Sequence, residues 1–181
     1  MTLAEMLGPG AMTRAEVAAH LDALDAQTRI AECVVLTKKQ QSRLWKIASA
    51  DPGQVQNLVS MEGTAVFAGR NSLPLFSRFE KRFGRHAGAV IGYNEHRLSW
   101  LTGPGYFTVA AAPSGFRFDY RAVPAEAPPG WPPIRPNTQG FARSVYGDLV
   151  DEVVWVARDV LIGSACRGGV SLDSYFVLAR Q

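Results

Sequence analysis

Phe116-Arg117-Phe118-Asp119-Tyr120-Arg121 puts three aromatic rings at alternate positions and three charges between them. Successive strand residues point to opposite faces, so this run predicts a strand with a ring-lined inner side and a wet outer side. From Ala87 to the C-terminus the chain keeps this texture, with short apolar runs bounded by turn residues. Closed on itself, such an antiparallel sheet becomes a barrel with a pocket for a small, largely apolar molecule.

Working outward from that strand, Pro113-Ser114-Gly115 is a turn signal, residues 89–94 read as a strand, and residues 98–111 as another, interrupted at Gly103-Pro104-Gly105. Further upstream, residues 64–68 read as a strand and Asn71-Ser72-Leu73-Pro74 as a turn. Residues 75–83 fit two periods: Phe76, Phe79 and Phe83 suit a helix, whereas Leu75, Phe79 and Phe83 suit a strand. Downstream, residues 124–137 form a proline-rich stretch around Trp131. Proline donates nothing to a ladder, so this is a long loop, expected to cross one end of the barrel. Four apolar runs follow, at 142–146, 152–158, 160–166 and 174–180, separated by Gly147-Asp148, Arg158-Asp159 and Arg167-Gly168-Gly169. They predict a closing meander of strands.

The N-terminal third has a different period. Thr13 and Glu16 have capping-box spacing, which starts a helix carrying Val17, Leu21 and Leu24 on one stripe. A second helical stretch carries Ile30, Val34, Leu44, Trp45 and Ile47 until Asp51-Pro52-Gly53 stops it. Two such helices either plug the open end of the barrel or cover an apolar outer face. The expected organisation is one domain over residues 1–181, with N-terminal helices at 13–50 and the barrel at 63–181.

Composition narrows the function classes. The chain of 181 residues has a net charge of +3 and a pI near 9.1, with basic residues scattered among acidic ones. That balance does not hold a protein on nucleic acid by electrostatics. The densest basic run, residues 78–85, also contains Glu80, Phe79 and Phe83, and reads as a solvated face over a hydrophobic one. Cys33 and Cys166 fit small thiols of a reducing compartment, and His20, His86 and His96 stand at no metal-ligand spacing. No cofactor is expected, because glycine-rich nucleotide loops are absent; the Gly-x-Ser-x-Gly elbow of serine hydrolases is missing as well. With neither a signal-like N-terminus nor an apolar stretch of about 18 residues, the expectation is a cytoplasmic protein without a membrane partner. Its expected partner is a small apolar organic ligand; homo-oligomerisation stays open.

Candidate site residues follow from the faces. Asp151 and Glu152 precede Val153-Val154-Trp155-Val156, so one of the two carboxylates must turn inward, where it needs a cation such as Lys81 or Arg143. It is either a general base with a raised pKa or half of a structural ion pair. Tyr93 or Lys81 is the candidate polarising donor. Trp100, Tyr106, Phe118, Tyr120, Tyr146 and Trp155 are the candidate pocket walls. If the barrel is an enzyme, cofactor-free cyclisation, isomerisation or cycloaddition suits a shaped, dry pocket with one or two polar groups. The rivals are a non-catalytic carrier or sensor, and an interaction module that uses the proline-rich loop and has a solid interior.

Tyr146-Gly147-Asp148, Asp151, Gly163 and the closing Tyr175-Phe176-Val177-Leu178-Ala179-Arg180, with Lys81-Arg82-Phe83 upstream, resemble a group of bacterial lipocalin-like domains of uncharacterised function. The resemblance spans residues 79–83 and 141–180, and the Gly-x-Trp-x-Gly box of that group is absent. It implies a mainly β (α+β) fold, an antiparallel lipocalin-like barrel, and no particular activity.

Overall fold

A computed structural model describes residues 1–52, 58, 63–73, 77–97 and 99–181. Its centre is a closed antiparallel barrel of eight strands in chain order: β1 (Thr64–Asn71), β2 (Arg78–His86), β3 (Ala89–Glu95), β4 (Phe107–Ala112), β5 (Gly115–Asp119), β6 (Leu149–Ala157), β7 (Val160–Arg167) and β8 (Val170–Arg180). Each strand pairs with its sequence neighbour, and β1 pairs with β8, setting Phe67 opposite Arg180. The fold is therefore mainly β, an up-and-down barrel of lipocalin-like architecture.

The deciding strand faces as expected. Phe116, Phe118 and Tyr120 are buried, while Arg117 and Arg121 are exposed and Asp119 is intermediate. The same alternation settles the ambiguous stretch: β2 runs from Arg78, and its Phe79, Lys81 and Phe83 share the inner face. Leu75 and Phe76 lie outside the described residues. Rings from many strands crowd the interior, with Phe83, Phe107 and Phe118 in mutual contact and Phe67 edge-on against Phe83. They fit because inward-facing Gly92 and Gly163 leave room: a Cβ on either would collide with the Phe107 or Phe176 ring.

The helical part is more divided than the sequence implied. Among the described residues four helices precede the barrel: α1 (Leu3–Met6), α2 (Arg14–Ala23), α3 (Ala26–Cys33) and α4 (Lys38–Ala50). Thr13 and Glu16 form the expected capping box of α2, but the long second stretch is broken after Cys33, and Thr37 with Gln40 caps a fresh start. Gly53, expected at its end, lies outside the described residues. These helices cover the outside of the last three strands. Val17, Leu21 and Leu44 pack with outward-facing Val154, Val156, Ile162 and Val177 in an apolar cluster separate from the ring-filled interior. The covering role holds, and the plug does not.

Two further expectations are corrected. The strand predicted over residues 98–111 exists only as β4; Ser99–Thr102 is a short helix, α5, and Leu98 lies outside the described residues. The run at 142–146 is part of a helix, α6 (Gly140–Tyr146), because Ala142 and Tyr146 are buried on one side while Phe141 and Val145 face solvent. A short apolar run carries no length with which to separate the two periods. The proline-rich loop lies along the outer wall instead of crossing an end. Trp131 rests on Gly84 of β2 and against Tyr93 and Tyr106, and the Tyr106 hydroxyl donates to the Pro132 carbonyl at 2.6 Å.

The two ends of the barrel are built differently. At one, Ala87-Gly88, Pro113-Ser114 and Arg158-Asp159 are two-residue joints. At the other, the chain spends residues 72–77, 96–106 and 120–148, with Gly168-Gly169 as the one tight turn.

Candidate functional site

The loop-rich end opens into a cavity of about 400 Å³. Its wall is largely apolar, and Leu73, Val145 and Leu172 stand exposed at its mouth. On its inner side is a polar group that reaches across the barrel. Lys81 projects from the middle of β2 and Asp151 from β6, strands on opposite sides of the eight-membered ring. Their Nζ and carboxylate oxygen are 3.8 Å apart, and the residues are 2% and 3% exposed. Register explains the placement: Lys81 lies opposite Phe67 on one side and Asn94 on the other, and Asp151 opposite Phe118 and Ala165. The outer neighbours Arg82 and Glu152 take the solvent side.

Lys81 Nζ donates to Asn94 Oδ1 at 2.7 Å and to the Tyr120 hydroxyl, and the Tyr120 hydroxyl also favours the charged form of Asp151. Asn94 Nδ2 donates to the Gly105 carbonyl at 3.3 Å and to the Tyr120 hydroxyl at 3.2 Å. Among the described residues five rings surround the amino group, with centroids 4.7 Å away for Phe107, 5.1 Å for Tyr120 and Phe176, and 5.5 Å for Phe79 and Phe118. Ring faces attract a cation most strongly where water is excluded. Burial drives the Lys81 pKa down, opposed by the Asp151 charge, and drives the Asp151 pKa up, opposed by Lys81 and the Tyr120 hydrogen bond. Both shifts favour the uncharged forms, which narrows the difference in proton affinity between the two groups.

A second polar group borders the same cavity. Tyr146 stacks on Tyr120 with centroids 5.4 Å apart and planes at 8°, and its hydroxyl is 3.2 Å from His96 Nε2. Thr102 Oγ1 is also 3.2 Å from that nitrogen. Burial pushes the Tyr146 phenol up to about 12 and the His96 imidazole down. Asn137 holds the framework by donating to the carbonyls of Tyr106 and Tyr120, each at 2.7 Å.

Of the residues singled out from sequence, Lys81, Asp151, Tyr120 and Tyr146 therefore meet at the cavity. Phe118 and Trp155 belong to the packed interior beneath it, where Trp155 meets Phe116 edge-on. Tyr93 is corrected: it points outward beneath Trp131, and its neighbour Asn94 takes the inward position. Tyr106 likewise faces the outer wall, and Trp100 is 72% exposed on α5. Tyr93 and Trp100 border a second hollow of about 560 Å³ on that wall. Arg143 is exposed and does not serve Asp151. The sequence reading missed Asn94, His96 and Thr102. For Asn94 a signal existed, since it stands two residues after Gly92 and shares its face; for His96 and for Thr102 at the end of α5, both in the β3–β4 connection, none did.

Among the described residues no cluster of His, Cys, Asp or Glu could hold a metal ion, and no helix is long and apolar enough to cross a membrane. No protein-family model, curated protein sequence or solved structure matches the chain.

Proposed function

We propose that the barrel encloses a small, largely apolar organic molecule and sets one polar atom of it against Lys81 and Asp151, as a cofactor-independent isomerase or cyclase. The observation that carries this reading is the Lys81–Asp151 pair, buried on the inner side of a largely apolar cavity. Replacing a buried pair by hydrocarbon is often neutral or stabilising, so stability alone gives little reason to keep it. In the proposed chemistry Lys81 donates to a ligand oxygen on which negative charge develops, and Asp151, whose pKa burial raises, removes a proton from the adjacent carbon. Tyr120 and Asn94 keep the amino group aimed. The ring-filled interior beneath holds the pair rigid, and the apolar mouth admits the hydrocarbon part of the ligand.

A carrier or sensor uses the same cavity without chemistry, and the observation in its favour is that Lys81 and Asp151 already satisfy each other. An interaction module needs no cavity, which weighs against it. The cavity itself is tested with anilinonaphthalene sulfonate, an apolar fluorophore with one anionic group. Saturable one-to-one binding is expected, lost in Ala165→Trp, which fills the wall opposite Asp151, and kept in Lys38→Ala on the helical side. Equal binding by all three proteins would overturn the reading.

A further inference from the structure

We infer that Lys81 is a nucleophile that forms an imine with a carbonyl-bearing ligand, so that the substrate class is small apolar aldehydes or ketones. The inference rests on the reading above, that the cavity takes a small apolar molecule with an oxygen against Lys81.

The chain itself sets Lys81 apart. Its lysines are Lys38, Lys39, Lys46 and Lys81; the first three lie exposed on α4, and every other cation of the barrel strands is arginine or histidine. Arginine stays protonated and cannot condense with a carbonyl, whereas a buried lysine can lose its proton and do so. The one barrel lysine is also the one that borders the cavity. Its surroundings suit both ends of the reaction. Asp151, 3.8 Å away, can take a proton from the ammonium to give a free amine and a carboxylic acid. The five ring faces and the Asp151 carboxylate then suit the cation that results.

The steps balance. The Lys81 nitrogen lone pair attacks the carbonyl carbon and forms the C–N bond, while the C=O π pair moves to oxygen, which takes the proton from Asp151. The nitrogen returns a proton to Asp151, giving a neutral carbinolamine. Asp151 then protonates the hydroxyl, the C–O bond breaks, and the nitrogen lone pair forms C=N. Ammonium and carbonyl become iminium and water, with no oxidant or reductant, and Asp151 ends as the carboxylate it began as. Lys81 bonds covalently to the substrate and Asp151 carries the protons; Tyr120 is a positioning residue, since its hydroxyl accepts from Lys81 and favours the charged form of Asp151.

The experiment treats the full-length protein with octanal and sodium cyanoborohydride, which reduces an imine to a stable secondary amine, and maps the octyl group by peptide mass spectrometry. One octyl group on Lys81 is expected, absent from Lys81→Arg, blocked by Ala165→Trp and formed at least tenfold more slowly in Asp151→Asn. Tyr120→Phe should slow trapping without abolishing it. The wild-type peptide map stands even where a variant fails to fold. In parallel, 1-octanol, which has the chain without the carbonyl, competes with anilinonaphthalene sulfonate. Competition by octanol with no adduct on Lys81, or adducts confined to Lys38, Lys39 and Lys46, overturns the imine and leaves the binding reading standing. Failure of octanol and octanal alike to displace the fluorophore, again with no adduct on Lys81, overturns both.

Discussion

Asp151 and Asp159 sit eight positions apart around one strand, both paired with cations, and they illustrate two different uses of an ion pair. Asp159, in the two-residue joint after β6, holds Arg29 of α3 at 3.2 Å and Arg180 of β8 at 3.1 Å, and its side chain stays 25% exposed. Arg180 is held further by the Leu58 carbonyl and the Phe67 ring. Water reaches this cluster, which ties the helices to the barrel at its tight end. Asp151 faces a single lysine at 3.8 Å and is only 3% exposed, at the end where the chain is long and looped. The contrast teaches that location, more than the presence of opposite charges, decides whether a pair serves as a clasp or holds reactive groups.

The sharpest test of that contrast is to remove one partner at each place. Asp151→Asn leaves an ammonium buried without its counter-charge and should cost about 3–5 kcal/mol, while Lys81→Met with Asp151→Leu should recover most of that loss. Asp159→Asn leaves Arg180 in reach of water and Arg29 still donating to the Leu24 carbonyl, and should cost on the order of 1 kcal/mol. Denaturant unfolding of the three proteins measures the difference, and equal losses at the two aspartates would erase the distinction.

A smaller effect is expected in the pH dependence. The folded pKa of Asp151 is raised, to about 6, so its contribution to stability is fully present below the unfolded value and is lost as pH climbs through 6. That of Lys81 is lowered, to about 8, so its contribution is present above the unfolded value and lost as pH falls toward 8. Both groups therefore weigh most against the fold between these values. Relative to the double apolar variant, the wild type should be least stable near pH 7 and gain roughly 1–2 kcal/mol toward either side. A wild type most stable, relative to that variant, at neutral pH would reverse the assignment. The smallest effect belongs to Arg117 and Glu152, exposed on the outer wall at 3.7 Å. Arg117→Ala should change stability by less than about 0.5 kcal/mol in the same titration, and a larger loss would show that outer pairs matter as inner ones do.

Much of this arrangement was legible in the residues. Alternation alone placed Phe116, Phe118 and Tyr120 inside and turned one of Asp151 and Glu152 inward, with Lys81 or Arg143 as its partner, because a period of two puts adjacent residues on opposite faces. Where no alternation ran long enough, reading failed. Residues 142–146 were too short to distinguish a helix from a strand, and residues 98–111 mixed a helix, a glycine-proline bend and a strand in one apolar stretch. Tyr93 drew attention by its chemistry, yet the inward position was its neighbour's. His96 and Thr102 come together with Tyr146 through connections between strands, and nothing in local spacing encodes which loops meet.

The closed ring carries a kinetic consequence. No single hairpin contains both Lys81 and Asp151; they meet only after β1 has found β8, a pairing that joins Phe67 to Arg180 across nearly the whole barrel sequence. Such long-range closures are slow compared with the tight hairpins formed at the two-residue joints, so the hairpins form early and the ring late. The pocket thus comes into being at the final step of folding, and a bound molecule draws the population toward the closed ring as a whole.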